Sequence, residues 1–193
     1  MSYFARLVTV FIAMIMSQAA YADTLATISA ALQKMQHARA RTQTTITDEQ
    51  GKVTHRTLEI DTIERIHGTN DNGEFMLLPE GTLMRMHGKW SRTPADISDM
   101  IRRFLPMSDE VLRNAKNVTD DGAATWNGRP AHAYNMDAEM TVMGIRENFH
   151  TKLYINAAGQ IVGSESDLAA AGHKVHSVQN VTYDDTVRVT APH

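Results

Sequence analysis

The spacing of the apolar residues changes near residue 39, and this change constrains the fold more than any other feature. Before it, apolar side chains recur every three or four residues, as on one face of an amphipathic helix with Thr24 as its N-cap: Leu25, Ile28, Leu32 and Met35. After it, apolar and polar residues alternate between closely spaced turn signals. The sequence therefore predicts a helix over 24–39, followed by short antiparallel strands joined by tight turns.

The predicted strands form two runs that are separated by a helical region. The first run comprises strands near 40–47, 52–60, 62–68, 74–78 and 82–90. A second helix is predicted over 97–105, with Ile101 and Phe104 on its apolar face, and a short third helix over 108–115. The second run comprises strands near 117–120, 123–126, 129–138, 147–156, 160–168 and 173–189, with a strong hairpin signal at Asn127-Gly128.

Side chains alternate between the two faces of a strand, and this alternation predicts that one face of the sheet is covered. In 82–90, one predicted face carries Met84, Met86 and Trp90, and the other carries Arg85, His87 and Lys89. In 148–155, Phe149 and Leu153 are predicted on one face of the strand, and the charged residues on the other. The predicted helices are the only long apolar surfaces that can cover such a face. We therefore predict an α+β fold, in which an antiparallel sheet curls into an incomplete barrel around two or three helices and leaves a gap for a ligand.

Residues 1–22 have the three parts of a cleavable secretory signal peptide. Arg6 precedes an apolar run over 7–16, and the small residues Ala20 and Ala22 predict cleavage before Asp23. The apolar run is about half as long as the roughly 20 residues that cross a bilayer. We therefore expect the mature protein, residues 23–193, to reach the periplasm of a Gram-negative-type envelope without a membrane anchor.

Length and composition restrict the possible organisation and partners. Residues 23–193 suffice for a single domain with a substantial core. The chain has no cysteine, which excludes a disulfide framework, iron–sulfur clusters and thiolate sites. Lys and Arg number 19 against 22 Asp and Glu, and no basic run occurs, so nucleic acid is not an expected partner. We expect a monomer.

No arrangement in the sequence indicates catalysis. Although the chain has 9 histidines, none has the spacing of a metal site, and His173 and His176 would point to opposite faces of a strand. Gly163-Ser-Glu-Ser166 is not the turn of a serine hydrolase, and no Gly-rich phosphate loop occurs. We predict that the protein is not an enzyme and binds neither a cofactor nor a metal.

Methionine is the unusual residue, with 12 in the chain, three of them in the predicted signal peptide. Flexible thioether side chains fill irregular apolar space and suit surfaces that adapt to variable ligands. As a set, these methionines indicate a soft apolar cavity. Copper binding is an alternative, because Met84-Arg-Met86-His87 brings soft ligands close together. On a regular strand, however, the two methionines point away from His87.

The order of these elements resembles that of the LolA, LolB and LppX-like superfamily of periplasmic lipoprotein carriers. The segments that carry the likeness extend over nearly the whole mature chain: 24–35, 40–51 (ARTQTTITDEQG), 64–67 (ERIH), 81–90 (GTLMRMHGKW), 152–159 (KLYINAAG) and 183–192 (YDDTVRVTAP). The resemblance implies an incomplete β-barrel, closed by helices, whose apolar cavity receives acyl chains. Arg39 and Arg41 are the candidates for the functional arginine of that family.

By position in the family, the cavity would be lined by Met76, Leu78, Met84, Met86, Trp90, Ile101, Phe104, Phe149 and Leu153. The resemblance thus implies a periplasmic carrier or sensor that holds a lipid or the acyl chains of a lipoprotein, with inner- or outer-membrane proteins as further partners. The alternative is an envelope protein-interaction or stress-sensing module without a ligand, since relatives use the same fold in that way. A copper-binding periplasmic protein is the third reading.

Overall fold

Eleven strands form one antiparallel sheet in the part of the chain that the computed structural model describes, which comprises residues 21–71, 73–94, 112–142, 145–170 and 173–192. A helix, α1, covers residues 21–36, and a helical turn ends at residue 113. The strands are β1 Ala40–Asp48, β2 Val53–Thr62, β3 Arg65–Asn70, β4 Gly73–Leu78, β5 Gly81–Met86, β6 Lys89–Arg92, β7 Lys116–Trp126, β8 Arg129–Val142, β9 Ile145–Ile155, β10 Ile161–Ala170 and β11 His173–Tyr183.

The sheet consists of two meanders that are joined by the pairing of β1 with β11. The strand order is β6-β5-β4-β3-β2-β1-β11-β10-β9-β8-β7. Apart from β1 and β11, all strands that are paired in the sheet also follow one another along the chain. The pairing of β1 with β11 runs from Ala40 opposite Tyr183 to Asp48 opposite Val175. Strands β6 and β7 are the two edges, which leaves the sheet open.

The sheet curls around α1, and the core lies between them. Ile28, Ala31, Leu32 and Met35 of α1 are buried in one cluster with side chains from both meanders. Leu77 of β4 and Val118 of β7 belong to this same cluster although seven strands lie between theirs. In a flat sheet these two positions would be roughly 40 Å apart, at about 4.8 Å per strand. The face of the sheet that packs on α1 is called the inner face, and the opposite face the outer face.

Polar contacts fix the two ends of α1 to the sheet. Lys34 Nζ donates a hydrogen bond to the carbonyl oxygen of Ala158 at 2.7 Å, in the turn between β9 and β10. Tyr21 Oη donates to the carbonyl oxygen of Ala115 at 3.2 Å, just before β7. Because both contacts are to the second meander, they hold the helix across the inner face.

An aromatic cluster closes the outer face at the β7–β8 hairpin. The indole of Trp126 lies directly over Gly163, and its Nε1 donates a hydrogen bond to Asn180 Oδ1 at 3.0 Å. The Tyr154 ring contacts it with a centroid distance of 4.4 Å. A Cβ on residue 163 would lie 2.0 Å from the indole, so glycine is required there by space and not by backbone conformation.

The structure divides two segments into strands differently from the prediction, and each difference has a backbone cause. The strand predicted over 82–90 is two strands, because His87 and Gly88 form a tight turn with φ of 51° and 80°. Trp90 therefore pairs with Arg85 and does not share a face with Met84. Conversely, the strands predicted over 117–120 and 123–126 form the single strand β7, which absorbs Gly122 as a bulge with φ of 82°.

The predicted first helix is confirmed, whereas the predicted number of helices is not. Helix α1 is the only helix longer than one turn among the described residues. The second predicted helix, 97–105, lies outside them, and of the third, 108–115, only the final turn at residues 112–113 is described. The incomplete barrel therefore has one helix on its inner face in the described part of the chain, where two or three were expected.

We predict that Gly163→Ala lowers the free energy of unfolding by about 1–3 kcal/mol, because the new methyl group displaces the Trp126 indole. Urea denaturation of both variants and wild type measures this difference. The matched control is Gly73→Ala, whose Cβ meets only the Arg85 carbonyl oxygen at 3.7 Å. The control is expected to change stability by less than about 0.5 kcal/mol. Equal losses in both variants would show that the indole does not pack as described.

Candidate ligand-binding site

A row of apolar side chains crosses four strands of the inner face beyond the core. Ala138, Phe149, Leu168 and Val175 lie directly opposite one another on β8, β9, β10 and β11, and are called the apolar row. They share the inner face with the core. Ala138, Phe149 and Val175 are each an even number of residues from a core residue on their own strand, as Ala138 is from Met136, and Leu168 lies directly opposite Phe149 and Val175. Phe149, Leu168 and Val175 are only half-buried.

The apolar row borders a cavity of about 680 Å³. This volume lies within the range of small-molecule sites, which is roughly 300–1,000 Å³. The lining includes all four residues of the row, residues of β1 and β7, and neighbours of the row that alternate to the outer face, among them Asp137, His150, Asp167, Ala169 and His176. The cavity thus combines an apolar wall with a polar rim, which is the composition expected of a site for an amphiphilic ligand.

Between the apolar row and the core, hydroxyl groups occupy the inner face. Thr151, Ser166 and Ser177 lie opposite one another on β9, β10 and β11. Thr151 Oγ1 donates to Ser166 Oγ at 3.0 Å, and Ser177 Oγ donates to the Ser166 carbonyl oxygen at 3.5 Å. These hydroxyls satisfy one another, so they add polarity without demanding a ligand.

A second polar row lies closer to α1 and extends into the first meander. Gln179, Thr44 and Arg56 lie opposite one another on β11, β1 and β2 and are called the polar row. Gln179 Nε2 donates to Thr44 Oγ1 at 3.3 Å, and both side chains are buried. Burial lowers the pKa of the Arg56 guanidinium. A cation therefore lies on the inner face of the sheet.

A carboxyl group lies at the other end of the inner face. Glu147 is two residues before Phe149 on β9, and its Oε2 is buried without a hydrogen-bond partner. Burial raises the pKa of Glu147. Its proton is therefore held more tightly in the folded chain than in the unfolded chain, and its contribution to stability is lost as pH rises between those two pKa values.

We predict that Glu147→Gln raises the free energy of unfolding at pH 7, because it removes a charge from a poorly solvated position. The gain should shrink as the pH falls to about 4, near the usual Glu pKa, since wild type is then increasingly protonated in both states. Urea denaturation at both pH values provides the measurement. The exposed Glu64→Gln serves as control and should change the free energy of unfolding by less than about 0.5 kcal/mol. A loss of stability at pH 7 in the Glu147 variant would contradict the assignment.

Some of the residues predicted to line the cavity lie on the inner face. Phe149 is in the apolar row, and Leu153 is buried in the core beneath α1. Met84 lies between Phe75 and Ser91 on the inner face of the first meander, where it is half-buried. Met86 follows it on the same face, but 58% of its surface is exposed at the tip of the β5–β6 hairpin.

The other predicted lining residues are placed elsewhere. Met76 lies opposite His67 on the outer face, and Trp90 lies opposite Arg85, also on the outer face. Leu78 is fully buried at the end of β4. Ile101 and Phe104 lie outside the described residues. The structure therefore shifts the apolar surface from the first meander toward the second, where Ala138, Leu168 and Val175 were not predicted.

The two arginines carried over from the family resemblance are engaged in ion pairs. Arg39 Nε and Asp61 Oδ1 are 2.7 Å apart, and Arg41 Nη2 and Glu59 Oε1 are 2.8 Å apart. The hydrogen bond from Arg39 lowers the pKa of Asp61, and that from Arg41 lowers the pKa of Glu59. Both arginines therefore have their partners within the fold.

Histidines pair with carboxylates on the outer face. His150 Nδ1 lies 2.6 Å from Asp137 Oδ1, and His176 Nδ1 lies 2.8 Å from Asp167 Oδ1. Hydrogen bonds from Asn117 and His150 lower the pKa of Asp137. Nowhere in the described ranges do three or more histidine, aspartate and glutamate side chains form a group that could hold a metal ion. His87, the histidine of the copper reading, lies in the turn that separates β5 from β6.

The chain has an LppX-like fold. Its similarity to the lipoprotein LppX from Mycobacterium tuberculosis has a TM-score of 0.56 at 11% sequence identity, and covers 87% of this chain and 98% of LppX. At this identity the likeness concerns the fold alone. No protein-family model and no curated protein matches the sequence.

Two further solved structures are similar at lower TM-scores. A LolA superfamily protein from Nitrosomonas europaea has a TM-score of 0.34 at 6% identity, with 84% of this chain and 91% of that chain covered. MucB, in a complex with MucA(peri), has a TM-score of 0.35 at 11% identity, with 89% and 60% covered. TM-scores this low support no inference about this chain.

None of the helices in the described ranges is both long and apolar enough to span a membrane.

Proposed function

We propose that this protein is a periplasmic carrier or sensor that holds the acyl chain of a lipid or lipoprotein against the inner face of its open sheet, without covalent chemistry. The observation that carries the proposal is the apolar row beside a cavity of about 680 Å³. Three of its four side chains are half-buried and lie outside the core that packs on α1. Apolar side chains that border such a cavity suit an apolar ligand.

The energetics favour a chain-like ligand. Burial of each methylene group contributes about 0.8 kcal/mol, and association costs roughly 4–15 kcal/mol in lost translational and rotational freedom. Burial of an acyl chain of about 12–18 methylenes contributes about 10–14 kcal/mol, which offsets most or all of this cost, while burial of a short apolar molecule does not. The open sheet supports this choice, because a chain can enter along the strands without the core having to open.

The location follows from the sequence. The predicted signal peptide over 1–22 directs the mature domain, residues 23–193, to the periplasm, where a carrier of this kind exchanges its cargo with membrane partners. The absence of cysteine means that the oxidising compartment imposes no disulfide on the fold.

We predict that Leu168→Asp weakens binding of a fluorescent fatty acid by at least about tenfold, because it places a charge in the apolar row. The control is Ala123→Asp, which adds the same charge at an exposed position of β7 that does not line the cavity. Fluorescence titration of wild type and both variants gives the affinities, and circular dichroism checks that each variant is folded.

Equal affinities for the two variants would show that the apolar row does not receive the chain. Failure of the folded wild-type protein to bind any fatty acid or phospholipid would overturn the carrier proposal. In that case the protein-interaction reading would take its place.

A further inference from the structure

Arg56 places a half-buried guanidinium on the inner face. Its Nε–H is fully buried and has no hydrogen-bond acceptor. Burial lowers the pKa of its guanidinium, and among the described residues no ion pair joins it to a carboxylate. By contrast, Arg39, Arg41 and Arg85 each have a carboxylate within 2.9 Å.

The position of Arg56 in the sheet places its side chain on the inner face and not on the outer face. Two residues further along β2, Leu58 is 2% exposed and belongs to the core beneath α1. Because side chains alternate along a strand, Arg56 points to the same face as Leu58. Its neighbour on β1 is Thr44, which is buried. The guanidinium therefore lies over the interior of the curled sheet.

A second unsatisfied donor lies diagonally across from Arg56. Thr42 pairs with Leu58, so it is the diagonal neighbour of Arg56 on the same face, and its Oγ1 also has no hydrogen-bond partner. Diagonal positions are roughly 7–8 Å apart, which a long side chain can span. A hydroxyl and a guanidinium that both lack an acceptor together favour a group with several acceptor oxygens, such as a carboxylate or a phosphate.

A buried Nε–H donor without an acceptor on a poorly solvated guanidinium destabilises a fold, and this cost calls for an explanation. Leaving a buried polar group without a partner is unfavourable, and replacing a buried charged group by an apolar side chain of similar volume is often neutral or stabilising. Locally unfavourable residues are expected mainly at functional sites. Arg56 thus has the properties of a ligand contact and not those of a structural ion pair.

We infer that Arg56 binds the anionic end of the amphiphile whose acyl chain contacts the apolar row. This inference rests on the proposed function and names its ligand class, an acyl-chain carboxylate or phosphate. From Val175 to Gln179 is roughly 13 Å along β11, and Arg56 lies two strands further, so roughly 16 Å separates the two ends. The hydroxyls of Thr151, Ser166 and Ser177 and the side chains of Gln179 and Thr44 lie between them.

The test compares ligands that differ only at the head. Palmitic acid, methyl palmitate and hexadecyl phosphate compete with a neutral fluorescent alkyl ester for the mature wild-type protein at pH 7.5. A charged hydrogen bond in a buried site predicts that the acid and the phosphate bind about ten- to a hundredfold more tightly than the methyl ester. Acetate and inorganic phosphate serve as free anions and are expected not to displace the probe.

Variants locate the selectivity at Arg56. Arg56→Met should abolish the preference for the charged head while retaining the affinity for methyl palmitate, and it should unfold at a urea concentration at least as high as wild type. Arg56→Lys keeps the charge but loses the planar fork, so an intermediate preference is expected. The control, Arg41→Met, removes a guanidinium from the adjacent strand on the outer face and should leave the preference unchanged.

The outcomes separate this inference from the proposed function. Equal binding of acid and methyl ester by wild type would overturn the role of Arg56 and leave the carrier intact, and this comparison needs no variant. Retained selectivity in Arg56→Met, or displacement of the probe by inorganic phosphate as well as by hexadecyl phosphate, would also overturn it. Failure of all three palmitate-length probes to bind would overturn the carrier proposal and this inference with it.

Discussion

The pairing of β1 with β11 is the interaction on which the rest of the structure depends. Each meander forms through local hairpins, but neither by itself could surround α1. The β1–β11 ladder joins the meanders into one sheet and makes their inner faces continuous. It is also a highly non-local contact, since the hydrogen bond between Gln179 and Thr44 joins residues 135 positions apart. Such pairings fold slowly, because the loop-closure entropy is lost before the contact forms.

Continuity across that ladder creates the chemical character of the inner face. The apolar row lies in the second meander, while Arg56 lies in the first, and only the β1–β11 pairing places them on one surface. The outer face is different, because its charges are matched: Arg41 with Glu59, His150 with Asp137, and Lys152 with Asp121. The unmatched polar atoms of Arg56, Thr42 and Glu147 belong to the inner face. This asymmetry between the faces is what a ligand site adds to a structural sheet.

The sequence predicted the local structure well and the long-range structure only in part. The three-to-four spacing of Ile28, Leu32 and Met35 located α1, and alternation located most strands, because both signals are periodic within a few residues. The turn at His87-Gly88 was not predicted, because apolar and polar residues continue to alternate in the sequence across it although the chain reverses direction there. Arg56 was not predicted as a site residue, because nothing near it in the sequence shows that it points to the inner face. Its environment is set by register with β1 and β3, which periodicity cannot reveal.

Native mass spectrometry would show most plainly whether the inner face holds an acyl-chain ligand. The mature protein would be exported to a bacterial periplasm and purified without detergent. We expect an added mass that departs on organic extraction and is identified as an acyl-chain lipid with an anionic head. A protein that shows only its polypeptide mass, and still does so after incubation with an envelope lipid extract, would contradict this expectation.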